Sequence, residues 1–561
     1  MTEPGGELLR LAATVLQPGF VGTVPPDWVR RWLGEGLGGV ALFARNVRDP
    51  EQVAALTAAL RAERADVLVA IDEEAGDVTR IESRAGSSRP GNLALGAVDD
   101  IALTEEVARD LGRELAAAGV NLDYAPDADV NNNPDNPVIG VRSFGADPAL
   151  VARHTGAWVT GLQAAGVAAC AKHFPGHGDT AVDSHHDLPH IPRDRAGLDA
   201  VELLPFRAAI EAGVQAVMTG HLLVPAVDPD LPATLSRSVL TGLLRDELGF
   251  QGAVITDAME MRAVVNRFGF EGAVVSALAA GADAICIGGE HADEATAERL
   301  RTAIARAVLS GELAEERLTE AAKRVQHLAA WAAMARAAST PALSHGGPGR
   351  SHGAGGAGLA HGAGGAGLAL GAGGAGLAHG AGGAAVSNGA GGAGLARGAG
   401  GRWHGVGGSP VGLAAARRAV KVGGTAPALP LAGPPHVVEL SPPANIAVGT
   451  DTPWGVAAPL AAVLPGTTAV RLTEDDGAEA SAVVAGAAGR PLVLVVRDLH
   501  RHAWMSSFVR AALRLRPDAV VVELGVPAAV VGATHLATHG ATRSSGLAVA
   551  EVLAGVDLPN G

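Results

Sequence analysis

The chain has 561 residues, 48% of them hydrophobic, which is material for more than one core. Its 43 basic and 58 acidic residues leave a net charge of −15 with no basic block, which argues against a nucleic-acid or anionic-membrane partner. Two cysteines, Cys170 and Cys286, exclude a disulfide framework, and both sit inside apolar runs that read as buried strands.

The first segment, MTEPGGELLRLAATVLQPGF, carries acidic residues and glycines where a secretory leader needs a basic start. No apolar run reaches the ~18 residues that suggest a membrane span, so the expected location is the cytoplasm. Short apolar runs then alternate with longer amphipathic stretches, the mark of βα units. Eight runs read as strands: LAATVL (11–16), GGVALF (38–43), VLVAID (67–72), VNLDYAP (120–126), VAACAKHF (167–174), AVMTGH (216–221), AVITDA (253–258) and ADAICIG (282–288). Helical patterns such as EQVAALTAALRAER and ALVARHTGAWVTGLQAAG lie between them. Eight units in about 300 residues predict a TIM-type (β/α)8 barrel over residues 1–344. A doubly wound open sheet shares the alternation. The strand ends favour the barrel, because Asp72, Asp123, Lys172, His173, His221 and Asp257 each fall at the carboxyl end of a predicted strand, where barrel active sites sit.

Four segments carry candidate chemistry. IDEEAGDVTR places Asp72 and Arg80 after the third run, and NNNPDNPVIGVRSFG places Arg142 in a turn-rich loop. Directed hydrogen bonds from Asp, Arg and Lys suit the hydroxyls of a sugar. KHFPGHGDTAVDSHHDLPH, from Lys172 to His190, is a long polar loop rich in His and Asp. It reads as a metal site, a solvated loop, or an acid/base device in which Asp183 orients His185 across Ser184. In VITDAMEM, Asp257 follows a β-branched run; it is placed either to attack an anomeric carbon or to cap the helix after it.

Residues 345–401 repeat a nine-residue unit, HGAGGAGLA, with few large side chains, and read as a low-complexity Gly/Ala linker. Beyond it, residues 402–561 alternate strand-like HVVEL, PLVLVV and AVVVEL with helical SSFVRAALRLR and GLAVAEVLAG, predicting a smaller α/β sandwich domain.

Residues 1–335 resemble glycoside hydrolase family 3, and within it the bacterial β-N-acetylglucosaminidases of cell-wall recycling. The resemblance rests on GGVALFARNV, on KHFPGHGDT followed by DSH, and on LPATLSRSVLTGLLRDELGFQGAVITDAMEM. It implies Asp257 as nucleophile, His185 as acid/base with Asp183 as its partner, and Asp72, Arg80, Arg142, Lys172 and His173 as sugar-binding residues, with His221 counted among them. A retaining double displacement on a small carbohydrate follows, with no cofactor and no metal. Phosphorolysis by the same residues, or a metal-dependent hydrolysis using the His/Asp loop, are the alternatives. One departure stands out: the family's DQEGGRVxR reads DEEAGDVTR here, so Ala75 and Asp77 replace a Gly and an Arg. Residues 402–561 resemble the family's C-terminal α/β sandwich through GLAAARRAV and GATRSSGLAVAEVLAG, which implies no obligatory catalytic residue there.

Overall fold

The computed structural model describes residues 4–180, 188–289, 291–339, 408–425, 428–443, 447–449 and 452–555. The repeat region at 345–401 and the acid/base candidates Asp183 and His185 lie outside the described residues.

The first half is built on ten strands: β1 Leu16–Pro18, β2 Gly39–Leu42, β3 Leu68–Ile71, β4 Leu122–Asp123, β5 Ala168–Phe174, β6 Ala216–Thr219, a hairpin of β7 Leu223–Val224 and β8 Asp228–Pro232, then β9 Ala253–Thr256 and β10 Ile285–Ile287. Strands β2-β3-β4-β5-β6-β9 form one parallel ladder in that order, and β1 pairs with β10. A parallel bridge from Ile255 to Ala284 joins the two ladders on one side, and the Gly38 N–H donates to Ala13 O (3.4 Å) on the other. The result is a TIM-type barrel, as the sequence pattern predicts.

The first predicted strand is the exception. Residues 11–14 complete a helix, Gly6–Thr14, and only Leu16–Pro18 pairs with β10. LAATVL is apolar throughout, and a short apolar run does not distinguish a buried helix end from a strand.

Alternate strand residues fill the barrel interior: Leu68 and Ala70, Ala168 and Cys170, Ala216 and Met218, Ala253 and Ile255. Val325, Leu328, Ala329 and Ala332 of the helix Glu315–Ser339 belong to the same cluster and close the end where the strands start. Both cysteines are free and buried in this interior. The opposite faces of the strands pack against the surrounding helices. Asp49, Asp147 and Asp293 cap three of these by accepting a backbone N–H from the first turn.

The second half carries a six-stranded sheet of β11 Lys421–Gly423, β12 His436–Leu440, β13 Thr468–Leu472, β14 Leu492–Val496, β15 Val520–Glu523 and β16 Thr534–Ala537. Its order is β11-β16-β15-β14-β12-β13, parallel except for β11. Separate apolar clusters cover its two faces, one with the helix Ala503–Leu515 and one with Arg543–Ala554, giving three layers and the expected smaller α/β sandwich. The sequence pattern missed β11, β13 and β16. Two of these are edge strands, and exposed positions break the apolar run in β13.

The described residues on either side of 341–407 form one compact unit. The barrel's apolar core runs on into Ala415 and Val411 of the helix Pro410–Ala419. A side chain on Gly412 would stand 2.5 Å from Ser88 O, so that close approach requires glycine.

Candidate active site

β3 stops at Ile71, and three acidic residues follow. Successive side chains of an extended chain point to opposite sides. Asp72 and Glu74 therefore share one partner while Glu73 turns away. That partner is Lys172 of β5, whose Nζ pairs with Asp72 and with Glu74 Oε1 (2.5 Å). Arg80 Nη2 donates to Asp72 Oδ2 (3.0 Å). Arg142 forks onto Glu74, with Nε to Oε2 at 2.9 Å and Nη2 to Oε1 at 2.7 Å. Burial by itself pushes the Asp72 carboxyl up, but the charges of Lys172, Arg80 and Arg142 outweigh it and hold the group ionised, well below the usual range. Glu74 is held down in the same way, burial being overcome by Arg142 and Lys172. Burial pulls Lys172 down, and Asp72 and Glu74 more than reverse it.

Glu73 organises the return of the chain. Its Oε2 accepts from Thr79 Oγ1 (3.2 Å) and from the backbone N–H of Arg80 (2.7 Å) and Ile81 (2.8 Å). Its own N–H donates to Asp123 Oδ1 (3.0 Å), which explains the buried Asp123 at the end of β4.

A second buried layer supports His173. Its Nδ1–H donates to Asp129 Oδ2 (2.7 Å), and its Nε2 lies 3.4 Å from Arg142 Nη2. Asp129 Oδ1 also accepts the backbone N–H of His173 (3.2 Å) and of His177 (2.7 Å), tying the start of the polar loop to β5. Asp127 is fully buried beside it; burial and the Asp129 charge push its carboxyl well up. Ligand-type atoms of Asp127, Asp129 and His173 lie within 4.8 Å of one another. The donor chemistry fits a metal ion poorly, since His173 Nδ1 spends its proton on Asp129 and the Arg142 guanidinium lies 3.8 Å from Asp127 Oδ2.

The polar loop is fixed at its root. The Asn136 side-chain amide donates to His177 O (2.9 Å) and Gly178 O (3.0 Å), and a side chain on Gly178 would collide with Val130 O. Burial lowers the His177 imidazole to about 4, so it is neutral at pH 7. Further on, His190 bridges to Leu223, and Arg193 pairs with Asp179 (2.9 Å).

Asp257 follows β9, two strands beyond β5, and so lies at the same barrel mouth as Asp72 and Lys172. It is partly exposed. Its N–H donates to Thr219 O (3.2 Å), and its Oδ1 accepts the Ala258 N–H (2.7 Å). The following helix begins at Arg262 with Met261 at the N-cap position, so Asp257 is not its cap. His221 is buried. Its Nε2–H donates to Ala258 O (3.1 Å) and its Nδ1 lies beside Thr234 Oγ1 (2.9 Å), which places it against the peptide following Asp257.

The structure thus joins Asp72, Arg80, Arg142, Lys172 and His173 through direct contacts and sets His221 behind Asp257. Sequence reasoning missed Glu73, Glu74, Asp127, Asp129 and Asn136. For Glu74 a signal existed, since two residues from Asp72 in an extended segment is the same face. Asp127 and Asp129 follow directly on the predicted strand VNLDYAP, Asn136 stands in the turn-rich NNNPDNP run, and the partners of Asp129 and Asn136 lie more than 40 residues away.

Residues 24–328 match the model of the glycosyl hydrolase family 3 N-terminal domain, more than half of the chain. The chain belongs to that family. Among family relatives, beta-hexosaminidase A of Pseudoalteromonas piscicida is 37% identical over 331 residues, covering 54% of this chain and 55% of that one. The chain therefore spans about half the length of that relative. The beta-hexosaminidase of Thiobacillus denitrificans is 41% identical over 288 residues, 49% of this chain and 79% of the other. A solved family 3 beta-N-acetylglucosaminidase from Paenibacillus sp. matches 98% of this chain and 96% of its own, with 31% identity and a TM-score of 0.76. That match takes in both sheets, and it bears out the family read from the KHFPGHGDT and TDAM motifs.

Proposed function

We propose that the protein is a retaining, exo-acting β-N-acetylglucosaminidase that removes terminal N-acetylglucosamine from muropeptides or related glycans. The observation that carries this reading is the Asp72–Lys172–Glu74–Arg142 network, set at the mouth that Asp257 shares. It presents an ionised carboxylate and fixed cations to the hydroxyls of one sugar, and the solved beta-N-acetylglucosaminidase of Paenibacillus sp. shares the fold on which it is built.

In this mechanism Asp257 attacks the anomeric carbon while His185, oriented by Asp183, protonates the departing oxygen. The neutral imidazole then takes a proton from water, which opens the glycosyl–Asp257 ester and restores the original configuration. Asp72, Arg80, Lys172, Arg142 and His173 hold the sugar or the groups that touch it.

The test compares an aryl β-N-acetylglucosaminide with the matching β-glucoside, using the wild type, Asp257→Ala and His185→Ala. The acetamido sugar should be cleaved in strong preference, and each substitution should lower kcat by at least ~100-fold. Equal cleavage of both sugars refutes the specificity, and full activity in His185→Ala refutes the acid/base. Product analysis with and without phosphate separates hydrolysis from phosphorolysis.

A further inference from the structure

Asp77 replaces the Arg of the family's DQEGGRVxR pattern, and it lies at the tip of a tight turn. The Glu74 N–H donates to Val78 O (3.1 Å), and Ala75 and Gly76 both have φ near +60°. Packing leaves the turn little freedom, since a side chain on Gly76 would stand 2.5 Å from Gly91 Cα. The Asp77 carboxylate is buried and faces the sandwich domain. Arg497, just after β14, donates from Nη2 to its Oδ2 (2.5 Å), and the Ala541 N–H, beyond β16, donates to its Oδ1 (2.8 Å). Arg497 is held on its own side by the Trp454 ring, 5.4 Å from the guanidinium carbon.

The turn stands between this contact and the sugar-binding network. Three residues before Asp77 is Glu74, gripped by Arg142 and Lys172; three residues after it is Arg80. One Arg80 nitrogen, Nη2, bonds both Asp72 Oδ2 and Ala447 O, each at 3.0 Å, and Ala447 belongs to the sandwich domain. The segment is therefore held from both sides. The chain from Asp72 to Arg80 carries both this contact and the Asp72–Arg80 pair, and it is bonded internally through Glu74 N–H to Val78 O (3.1 Å).

We propose that Asp77 and Arg497 are positioning residues, through which the sandwich domain fixes Arg80 and Asp72 for substrate binding. The inference rests on the reading that Asp72 and its partners hold the sugar. It predicts a specific kinetic signature, because a misplaced binding carboxylate weakens ground state and transition state alike, leaving the chemical step at Asp257 intact.

The experiment is steady-state kinetics on the full chain with the aryl β-N-acetylglucosaminide, alongside thermal unfolding. The variants are Arg497→Ala, Arg497→Lys, Asp77→Asn and Arg418→Ala. Asp77→Asn keeps an acceptor for the Ala541 N–H and the side-chain shape, so it preserves the fold while removing the charge. Arg418 pairs with Asp100 at a more exposed part of the same interface (2.8 Å) and serves as the interdomain control. Arg497→Ala and Asp77→Asn should each raise KM by ~10-fold with kcat within ~3-fold of wild type, and Arg497→Lys should recover most of that loss. Arg418→Ala should leave both constants unchanged. Wild-type KM in Arg497→Ala and Asp77→Asn, with only a lowered Tm, overturns the proposal, as does an equal KM rise in Arg418→Ala. If the wild type prefers the glucoside, the specificity reading fails by itself, and the same KM comparison is made on that glucoside.

Discussion

Three adjacent carboxylates, Asp72, Glu73 and Glu74, have three different fates because each meets a different set of charges. Asp72 and Glu74 face Lys172 and two arginines and stay ionised. Glu73 meets backbone N–H groups, a hydroxyl and the like charge of Glu82. Burial, partly offset by those hydrogen bonds, raises it to about 7. The sign of the pH dependence follows. A folded pKa near 7 against an unfolded value near 4.5 means that the folded protein keeps a proton the unfolded chain has already lost. The stability linked to this proton is complete below about pH 4.5 and is lost as pH rises to about 7, a change of roughly 3 kcal/mol at most. Glu73→Gln, which cannot titrate, should unfold in urea with a flatter pH dependence across that window. Parallel profiles for variant and wild type would show that Glu73 titrates at its ordinary value.

At the scale of elements, the polar loop after β5 shows what a sequence reveals and what it hides. KHFPGHGDT announces an unusual loop at a barrel strand end, and the structure roots that loop through Asp129 and Asn136. Those two residues were not legible. Asn136 stands in a turn-rich run and Asp129 just past a predicted strand end, positions where Asn and Asp satisfy local turns so often that a long-range partner leaves no mark on the pattern. Barrel strands were legible because β-branched and small apolar residues recur with polar ends. Position 11–16 failed because helix end and strand are equally apolar there. The anchoring role of Asn136 makes a kinetic prediction. Asn136→Ala removes the donor to His177 O and Gly178 O while leaving Asp129, Lys172 and Asp72 in place. The loop that leads to His185 loses its root, so kcat on the aryl N-acetylglucosaminide should fall ~10-fold or more with KM little changed. A rise in KM at constant kcat would show that Asn136 supports sugar binding instead.

At the scale of the whole molecule, the sandwich domain offers the barrel the edge at which open α/β sheets commonly bind ligands. In such sheets the carboxyl ends of the strands face an open crevice. Here the residues beyond β14 and β16, Arg497 and Ala541, close on Asp77 of the barrel. Arg543 bonds Glu82 (2.8 Å) and Gly86 O (3.1 Å), Ser409 Oγ donates to Asp110 Oδ2 (2.5 Å), and the apolar core continues across Ala415. No sequence pattern announced this, because each contact pairs residues hundreds of positions apart, and Asp77 read only as a lost positive charge.

These contacts are expected to hold the two parts together without the intervening chain. A protease site placed within 345–401 and then cut should leave the fragments eluting together on size exclusion, with activity within ~2-fold of the intact protein. The association should persist in ~1 M salt, where screening weakens an exposed pair such as Arg418–Asp100 but reaches the buried Asp77–Arg497 pair much less. Separate elution at moderate salt would mean that covalent connection, and not the interface, keeps Arg497 against Asp77. Arg80 would then lose Ala447 O on cleavage, and KM should rise by the amount expected for Arg497→Ala.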